Sequence, residues 1–418
     1  MKDSGIEWIG EIPKGWTIKR GKFILRLLER SVKDDDGIIT CFRDGEVTLR
    51  SKRREDGFTI SFQENGYQGI EPGDLVVHRM DGFAGAIGVS DSRGKATPVL
   101  NVMDSDECKR YLMYHLRSMA FTGVFLSLST GIRVRSCDTN WNKIKNLLYL
   151  LPCKEEQEKI VRYIDEKCLQ IDNAIYKTTA SIEEYKKLKQ AIITKAVTKG
   201  IRGNRPMKDS GIEWIGEIPS DWKIEKIKYV ALFSPPCDKT GILVDTVVTY
   251  LPMECVKNGK YIPNTKEFGK LSTSLNEFQD GDIIMAKVTP CFENGNIAIL
   301  EGIESGYGVG SSELFVYRPT RIVGKFLFYW LRNSFFMDMG CATMTGTGGL
   351  KRVNPYYVRN CEIHYPPEKE QEEIVAYLDE KCNEIDNIIS RKQQLITELE
   401  AYKKSLIYEY VTGKKEVV

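Results

Sequence analysis

The chain has 418 residues, of which 42% are hydrophobic and 28% charged, and its formal net charge is +2. This length predicts two to four domains, each large enough to bury its own core. The near-neutral charge excludes a histone-like polycation, so any surface for nucleic acid has to arise by segregation of charge. No apolar run reaches the roughly 18 residues of a membrane span, and the amino terminus is charged rather than signal-like, which favours a cytoplasmic protein.

The cysteines and histidines give no sign of a disulfide framework or a metal site. The eleven cysteines are scattered and form no CxxC pair, which favours a reduced protein without a zinc module. Histidine occurs only as His78, His115 and His364, whereas a metal site needs several convergent ligands. We therefore expect each histidine to be a packing or surface residue and neither a metal ligand nor a catalytic base.

Residues 1–150 predict a first module that mixes strands and helices. Short β-like runs at 73–77 and 85–89 are bounded by turn signals, and a helix-like stretch follows at 110–117. The apolar stretch at 120–128 is compatible with either a strand or a helix. These features predict a globular module of the α+β or α/β class.

Residues 151–200 predict a long helix. Pro152 ends the first module, and the acidic residues Glu155 and Glu156 suit a helix amino terminus. Apolar or tolerant residues then follow at alternating steps of four and three, the heptad pattern typical of a coiled coil. The predicted seam positions of this helix are Ile164, Cys168, Ile171, Ile175, Ile182 and Ile192.

The rest of the chain repeats this order. After a short polar linker at 201–206, the sequence of residues 1–13 returns letter for letter at 207–219. It opens a second module, 207–364, and a second long helix, 365–413, precedes a short tail at 414–418. The predicted seam positions of the second helix are Leu378, Cys382, Ile385, Ile389, Ile396 and Leu406.

A repeat of this length, about 210 residues, indicates two whole modules rather than the units of a solenoid, which run to about 20–50 residues. A helix of about 45 residues is roughly 65 Å long and projects beyond a module about 35 Å across. Its apolar seam needs a partner, and the other helix of the same chain is the nearest one. We therefore predict two similar modules separated by two long antiparallel coiled-coil helices, with an internal pseudo-two-fold axis that suits duplex DNA.

Several local patterns resemble catalytic motifs but lack essential residues. The run Asn354–Tyr357 approaches the Asn-Pro-Pro-Tyr loop of adenine methyltransferases without its second proline. The run Phe83–Ala86 resembles half of a cofactor-binding Phe-x-Gly-x-Gly turn, but Ile87 replaces the second glycine. A Walker loop is absent, so nucleotide hydrolysis is not supported. We predict no catalytic residue, cofactor site or metal site in this chain.

Basic side chains in the parts where the two modules differ are the candidates for DNA contact. Arginine forks pair with guanine edges or phosphates, and lysine provides a point charge. The candidates of the first module are Arg50, Lys52, Arg53, Arg54, His78, Arg79, Arg133, Arg135 and Lys143. Those of the second module are Lys257, Lys260, Lys287, Thr289, Lys351 and Arg352.

Taken together, these motifs resemble the specificity subunits of Type I restriction–modification systems. The residues that carry the resemblance are the paired openings at 2–13 and 208–219, the Pro-x-x-x-Glu-Gln-x-x-Ile starts at Pro152 and Pro366, and the twin heptad helices. The resemblance covers the whole chain. It implies two target recognition domains that read a split DNA sequence, and long helices that dock the modification subunits.

The same resemblance implies a chain without catalytic activity of its own. S-adenosylmethionine would then bind the methyltransferase subunits, and ATP with magnesium would bind the restriction or translocating subunits. Two other readings stay open at this point. One is a stand-alone adenine methyltransferase centred on Asn354 and Tyr357, and the other is a coiled-coil scaffold that does not bind DNA.

Overall fold

The computed structural model describes residues 1–53, 66–127, 139–212, 215–272, 274–347 and 349–417. The chain divides into two compact units, the first formed by Met1–Thr179 with Gln393–Val418 and the second by Ala180–Lys392. This division cuts both long helices, so that each unit contains one module and a part of each helix. The domain boundaries given above therefore stay a prediction.

The first unit is built on an antiparallel four-stranded sheet with the order β4-β11-β8-β9. Its strands are β1 (Lys2–Asp3), β2 (Glu11–Ile12), β3 (Thr17–Arg20), β4 (Arg26–Leu27), β5 (Ile39–Cys41), β6 (Val47–Leu49), β7 (Gln68–Ile70), β8 (Leu75–His78), β9 (Ile87–Val89), β10 (Gly94–Ala96), β11 (Leu100–Asp104) and β12 (Leu148–Leu151). Its helices are α1 (Arg50–Arg53), α2 (Lys109–Phe121), α3 (Val124–Ser127), α4 (Trp141–Ile144) and the beginning of α5 (Lys154–Lys199). The ambiguous stretch at 120–128 is thus helical where α2 ends and α3 follows.

The second unit repeats this sheet with the order β16-β25-β22-β23 and adds a four-stranded sheet with the order β20-β17-β24-β21. Its strands are β13 (Met207–Asp209), β14 (Glu217–Pro219), β15 (Lys223–Lys226), β16 (Ala231–Phe233), β17 (Val247–Leu251), β18 (Val256–Lys257), β19 (Lys260–Tyr261), β20 (Thr265–Glu267), β21 (Asn276–Gln279), β22 (Ile283–Ala286), β23 (Ile297–Ile299), β24 (Tyr307–Gly310), β25 (Leu314–Pro319) and β26 (Glu362–Tyr365). Its helices are α6 (Ile227–Val230), α7 (Gly324–Trp330), α8 (Ser334–Ala342), α9 (Pro355–Asn360) and the beginning of α10 (Glu368–Val411).

The repeated opening of 13 residues folds into the same small hairpin in both units, β1–β2 and β13–β14. In the first unit Lys2 Nζ donates to the carbonyl of Trp16 at 2.7 Å, and in the second Lys208 Nζ donates to that of Trp222 at 2.5 Å. Glycines with positive φ make the turns, which explains why these positions keep glycine in both copies. Over the described residues, the identical letters therefore encode the same hairpin and the same lysine contact.

A glutamine near the start of each long helix joins that helix to its module. Gln157 Oε1 accepts the N–H of Cys108, just before α2, at 3.0 Å, and its Nε2 donates to the carbonyl of Pro152 at 3.0 Å. In the second unit Gln371 Oε1 accepts the N–H of Val323, just before α7, at 2.8 Å. Both amides are buried. The glutamine of the repeat thus fixes the helix at the place where it leaves the module.

In the first unit, the start of α5 packs against the end of α10. The ring centroids of Tyr163 and Tyr410 are 4.6 Å apart. Further along α5, Lys403 Nζ donates to both carboxylate oxygens of Asp172 at 2.6 and 2.7 Å. Because residue numbers fall along α10 where they rise along α5, the two helices are antiparallel, as the heptads predict.

The second unit shows the same pairing between the end of α5 and the start of α10. Lys189 Nζ donates to both carboxylate oxygens of Asp386 at 2.7 Å, and these residues correspond in the repeat to the other lysine–aspartate pair. All twelve predicted seam residues are buried or half-buried. The predicted fold class, two similar modules of strands and helices with antiparallel long helices, is confirmed within each unit.

The ends of the long helices depart from the heptad seam. In α5 the buried residue of the last turns is Ile193, with an exposed fraction of 1%, whereas the predicted Ile192 is half-buried. Together with Ala196 and Val197 it packs into the core of the second unit. The residues that do the same for the first unit at the end of α10 are Leu406, Ile407, Tyr410 and Val411.

Candidate nucleic-acid interface

In the first unit, three candidate residues come together where β8 ends. The hydroxyl of Thr139 donates to the carbonyl of His78 at 3.1 Å, and the N–H of Thr139 donates to that of Arg79 at 2.8 Å. Asn140 then caps α4, because its side chain accepts the N–H of Lys143 at 3.1 Å. We call Arg79 with Thr139–Lys143 the first edge.

The imidazole of His78 shapes the turn after β8. Its Nδ1 accepts the N–H groups of Met80 and Asp81 at 3.3 and 3.0 Å. Burial lowers the pKa of this imidazole below its ordinary value, because a charged ring loses solvation there. His78 therefore acts in the fold as a neutral acceptor that positions Arg79.

The basic residues of α1 bind groups of their own unit. Lys52 Nζ donates to the hydroxyl of Ser92 at 2.6 Å, and Arg50 Nε donates to that of Thr40 at 2.9 Å. The guanidinium of Arg53 donates to Asp44 at 3.1 Å and to Glu46 at 2.7 Å. Ion pairs near the surface, such as those of Arg53, contribute only about 0–1 kcal/mol, so that an incoming phosphate competes for this guanidinium at little cost. Arg54, Arg133 and Arg135 lie outside the described residues.

A cavity of about 670 Å³ opens beside the first edge. The residues that line it include Gln68, Arg79, Asn140, Trp141 and Asn142. Amides and guanidinium groups are the side chains that read base edges by paired hydrogen bonds. Sequence reasoning missed Gln68, Trp141 and Asn142, although an asparagine such as Asn140 at the start of the Asn-Trp-Asn run is a typical helix cap.

In the second unit, four candidates gather at the equivalent place. The N–H of Thr289 donates to the carbonyl of Lys351 at 3.0 Å, and the hydroxyl of Thr289 donates to that of Gly349 at 2.6 Å. Val353 N–H donates to the carbonyl of Lys287 at 2.9 Å. The guanidinium of Arg352 donates to the carboxylate of Glu313 at 2.7–3.1 Å. We call Lys287–Thr289 with Lys351–Asn354 the second edge.

The ammonium of Lys287 is only partly solvated. It donates to the carbonyl of Ser312 at 2.6 Å and lies 4.9 Å from the ring centroid of Phe315. Burial lowers the pKa of Lys287, while the nearby charge of Glu313 raises it and that of Arg352 lowers it, so that the pKa lies below its ordinary value. A phosphate that approached this lysine would supply the negative charge that favours its protonated form.

Arg79 and Lys287 occupy the same position in the two units. Arg79 directly follows β8, and Lys287 directly follows β22, within sheets of the same strand order. The carbonyl of each accepts an N–H from the residue before a capping asparagine. Those asparagines are Asn140 and Asn354, whose side chains cap α4 and α9. Both units thus present a basic residue at one equivalent edge, although the neighbouring segments differ.

Lys257 and Lys260 lie on another part of the second unit, in the hairpin β18–β19. Asn258 in its turn accepts a hydrogen bond from Arg332 at 2.6 Å. Lys260 lines a cavity of about 260 Å³ together with Arg332 and with Asp386 of α10. The structure therefore places Lys260 beside the long helix, apart from the second edge.

The groups that resemble a methyltransferase centre have structural partners. The side chain of Asn354 accepts the N–H of Tyr356 at 2.9 Å as a helix cap. The hydroxyl of Tyr357 donates to the carbonyl of Phe336 at 3.0 Å, and the two rings stack with centroids 5.5 Å apart. Burial raises the pKa of Tyr357. Both side chains thus stabilise the turn into α9 and its packing.

Within the described ranges, no three His, Cys, Asp or Glu side chains converge in the way a metal ion requires. Among the helices of the same ranges, none combines the length and the apolar character of a membrane-spanning segment.

Comparison with known proteins identifies the class. Residues 219–401 match the family described as the Type I restriction modification DNA specificity domain. The specificity subunit of the Type I restriction enzyme EcoEI from Escherichia coli is 31% identical over 191 residues, which cover 44% of this chain and 31% of that protein. The MjaVIII specificity subunit from Methanocaldococcus jannaschii is 28% identical over 284 residues, which cover 65% and 63%.

Solved structures show the same fold over nearly the whole chain. One, described as the structural basis of complex assembly and conformational transition of the type I R-M system, matches with a TM-score of 0.71 at 14% identity and covers 97% of this chain and all of that one. The HsdS subunit from Thermoanaerobacter tengcongensis matches with a TM-score of 0.50 at 16% identity, covering 97% and 98%.

Residues 219–401 thus match a DNA specificity domain, and nearly the whole chain shares the fold of solved type I R-M structures. The resemblance to Type I restriction–modification specificity subunits, which the repeated motifs predict, is confirmed by the family match and the relatives. The aligned segment spans only about a third of the EcoEI relative.

Proposed function

We propose that this chain reads a split DNA sequence for a Type I restriction–modification complex, with one half-site read by each unit. The observation that carries the proposal is the basic edge repeated in both units, with Arg79 and Lys287 at equivalent positions. The residues around the two edges differ, so that the two half-sites differ in sequence. The candidate cations beside each edge supply the phosphate contacts that fix the register on the duplex.

The chain has no catalytic role in this proposal. Methyl transfer belongs to two modification subunits that bind S-adenosylmethionine, and cleavage or translocation belongs to restriction subunits that use ATP and magnesium. Because the substrate of such a complex is chromosomal DNA, we propose that the chain acts in the cytoplasm.

The long helices carry side chains suited to docking the modification subunits. Leu169 and Tyr176 on α5 are 62% and 75% exposed, and Leu395 and Tyr402 on α10 are 44% and 53% exposed. The two members of each pair are seven residues apart, so they lie on one face of their helix, away from the buried seam. Exposed apolar side chains in such a row are typical of a surface that packs against further helices.

The test is selection of DNA by the purified chain, alone and with its modification subunits, from a library of random duplexes. We expect one bipartite motif with a fixed unread gap, and binding that weakens steeply with salt because phosphate contacts release counterions. Enrichment of an undivided motif, or equal retention of scrambled duplexes, would contradict the proposal. The second outcome would instead favour the scaffold that does not bind DNA.

A stand-alone methyltransferase is less well supported, because Asn354 and Tyr357 are already engaged in helix capping and packing. Incubation of the pure chain with labelled S-adenosylmethionine and its selected DNA separates the two functions. Methyl transfer that begins only after modification subunits are added supports the specificity subunit. Transfer by the chain alone supports the enzyme.

A further inference from the structure

One surface feature is repeated in both units outside the two edges. Directly after β3, the turn Gly21–Phe23 places the ring of Phe23 in solvent, with 71% of the residue exposed. Directly after β15, the corresponding turn of α6 exposes 56% of Tyr229. We call Lys22–Phe23 and Lys228–Tyr229 the two Lys–aromatic turns.

The backbones of the two turns match in detail. Gly21 N–H donates to the carbonyl of Leu147 at 2.9 Å, and Ile227 N–H donates to that of Cys361 at 3.0 Å. In each turn the lysine ammonium lies near the aromatic ring, 4.9 Å from the centroid of Phe23 and 5.2 Å from that of Tyr229. The exposure of these rings is therefore a property of the repeated fold.

The residues that follow each ring anchor the turn. Ile24 and Leu25 are 8% and 3% exposed in the first unit, and Val230 and Ala231 are 0% and 2% exposed in the second. Since the buried neighbours hold the backbone, the exposed rings contribute little to folding. An aromatic ring kept in water at equivalent places in two diverging modules calls for a function that both modules share.

Each turn leads into an edge strand of its sheet, β4 in the first unit and β16 in the second. An exposed apolar residue follows on each strand, Leu27 (37% exposed) and Leu232 (49% exposed), at positions that are not equivalent in the repeat. The exposed cations Lys19 and Arg20 precede the first turn, and the strand before the second turn begins with the exposed Lys223. An exposed ring beside a lysine ammonium fits a protein surface that offers an apolar pocket rimmed by carboxylates, since aromatic anchors dominate protein interfaces. DNA phosphates accept hydrogen bonds from N–H groups, cations and hydroxyls, and the ring of Phe23 offers none of these, so a phosphate contact does not explain why both turns expose an aromatic ring.

We propose that the two Lys–aromatic turns are docking contacts for the modification subunit, one turn for each of its two copies. The partner has to be common to both units because the turn is common to both, whereas the DNA sequence read by each unit differs. This inference rests on the proposed function, but it names a contact on the modules that is separate from the long helices.

The experiment titrates the full chain with its purified modification subunit, without DNA, and counts bound copies by mass photometry. We expect two copies on the wild type. Phe23→Ala or Tyr229→Ala should each weaken one of the two sites roughly thirtyfold, as expected for an aromatic anchor. At subunit concentrations that just saturate the wild type, each single variant then carries one copy, and the double variant carries almost none.

Matched controls separate the contact from effects on folding. Phe23→Tyr and Tyr229→Phe keep the ring and should keep two copies. Leu243→Ala removes a side chain that is 66% exposed in the second unit, in a segment where the two modules diverge, and should bind as the wild type does. Melting temperatures of all variants should agree because the replaced groups lie in solvent.

Two results would overturn the inference. The first is two bound copies with wild-type affinity on Phe23→Ala and Tyr229→Ala. The second is unchanged subunit binding with weaker binding of the selected DNA by the chain alone, which would make the turns DNA contacts. A wild-type chain that selects no split motif would instead defeat the proposed function, so the two failures are distinguishable.

Discussion

His364 offers a sharp test of how the second unit is packed. It lies on β26 with an exposed fraction of 0%, and within the described part of the chain neither ring nitrogen has a hydrogen-bond partner. Burial and, to a smaller extent, the charge of Lys208 lower the pKa of His364 to about 4. Strand pairing places His364 opposite Ile224, as it places Leu150 opposite Ile18 in the first unit. Leucine is therefore the residue that the equivalent position already holds.

The variant His364→Leu should make the protein less sensitive to acid. The unfolded chain takes up a proton near pH 6.5, whereas the folded chain resists protonation down to about pH 4. The free energy of unfolding that depends on a neutral His364 is thus fully present above pH 6.5. It is lost as pH falls from 6.5 towards 4, because only the unfolded state binds the proton there. One pKa unit corresponds to about 1.4 kcal/mol, so the loss due to this histidine reaches roughly 2 kcal/mol at pH 5.

The measurement is urea unfolding of wild type and variant at several values between pH 5 and pH 8. The free-energy difference between the two should change by about 2 kcal/mol over this range, in favour of the variant at low pH. Groups common to both proteins cancel, including His115, whose pKa burial lowers to about 3. Leu150→His is the matched control, because it buries a new histidine in the first unit and should increase acid sensitivity. Parallel pH profiles for wild type and His364→Leu would refute the reasoning.

Three further predictions concern recognition and the long helices. Arg79→Ala should change base preference or affinity only at the first half-site, and Lys287→Ala only at the second. Each change should amount to roughly 1–3 kcal/mol of binding free energy, measured by sequencing of selected DNA. A change at both half-sites in either variant would contradict this prediction. The double variant Ile171→Glu with Ile385→Glu buries two carboxylates in seam positions that are 7% and 6% exposed. Because a buried unpaired charge is costly, the helices should separate and footprints on the split site should disappear. Intact footprints would show that the seam is dispensable. A fragment of residues 1–206 should sediment as a dimer. Its core lacks the end of α10, and the end of α5 from a second copy of the fragment can take that place. A stable monomer would argue against this pairing.

The long helices were predictable because a heptad pattern is local in sequence. Positions such as Ile164 and Leu378 are fully buried where the pattern places them. The pattern fails at the helix ends, where Ile193 and Val197 turn into the core of a module. That departure depends on what the helix meets in three dimensions, and periodicity contains no information about it.

The candidate cations were only partly predictable. The sequence selects Arg53 and Arg352 as basic residues in divergent segments, but it does not indicate their partners, Asp44 and Glu313. Glu313 lies 39 positions from Arg352 in the chain. The equivalence of Arg79 and Lys287 follows from strand order and backbone hydrogen bonds, while their side chains differ. The cavity beside the first edge collects residues from distant strands, so only the fold reveals it.

The joint at each glutamine has a consequence for how such a protein can vary. Gln157 and Gln371 bind main-chain groups just before α2 and α7 and at the prolines that precede the long helices. Main-chain groups are the same whatever side chains a module carries. Loops elsewhere on a module can therefore lengthen, shorten or exchange residues while the direction in which its helix departs is preserved, so that new specificity can arise without a new scaffold.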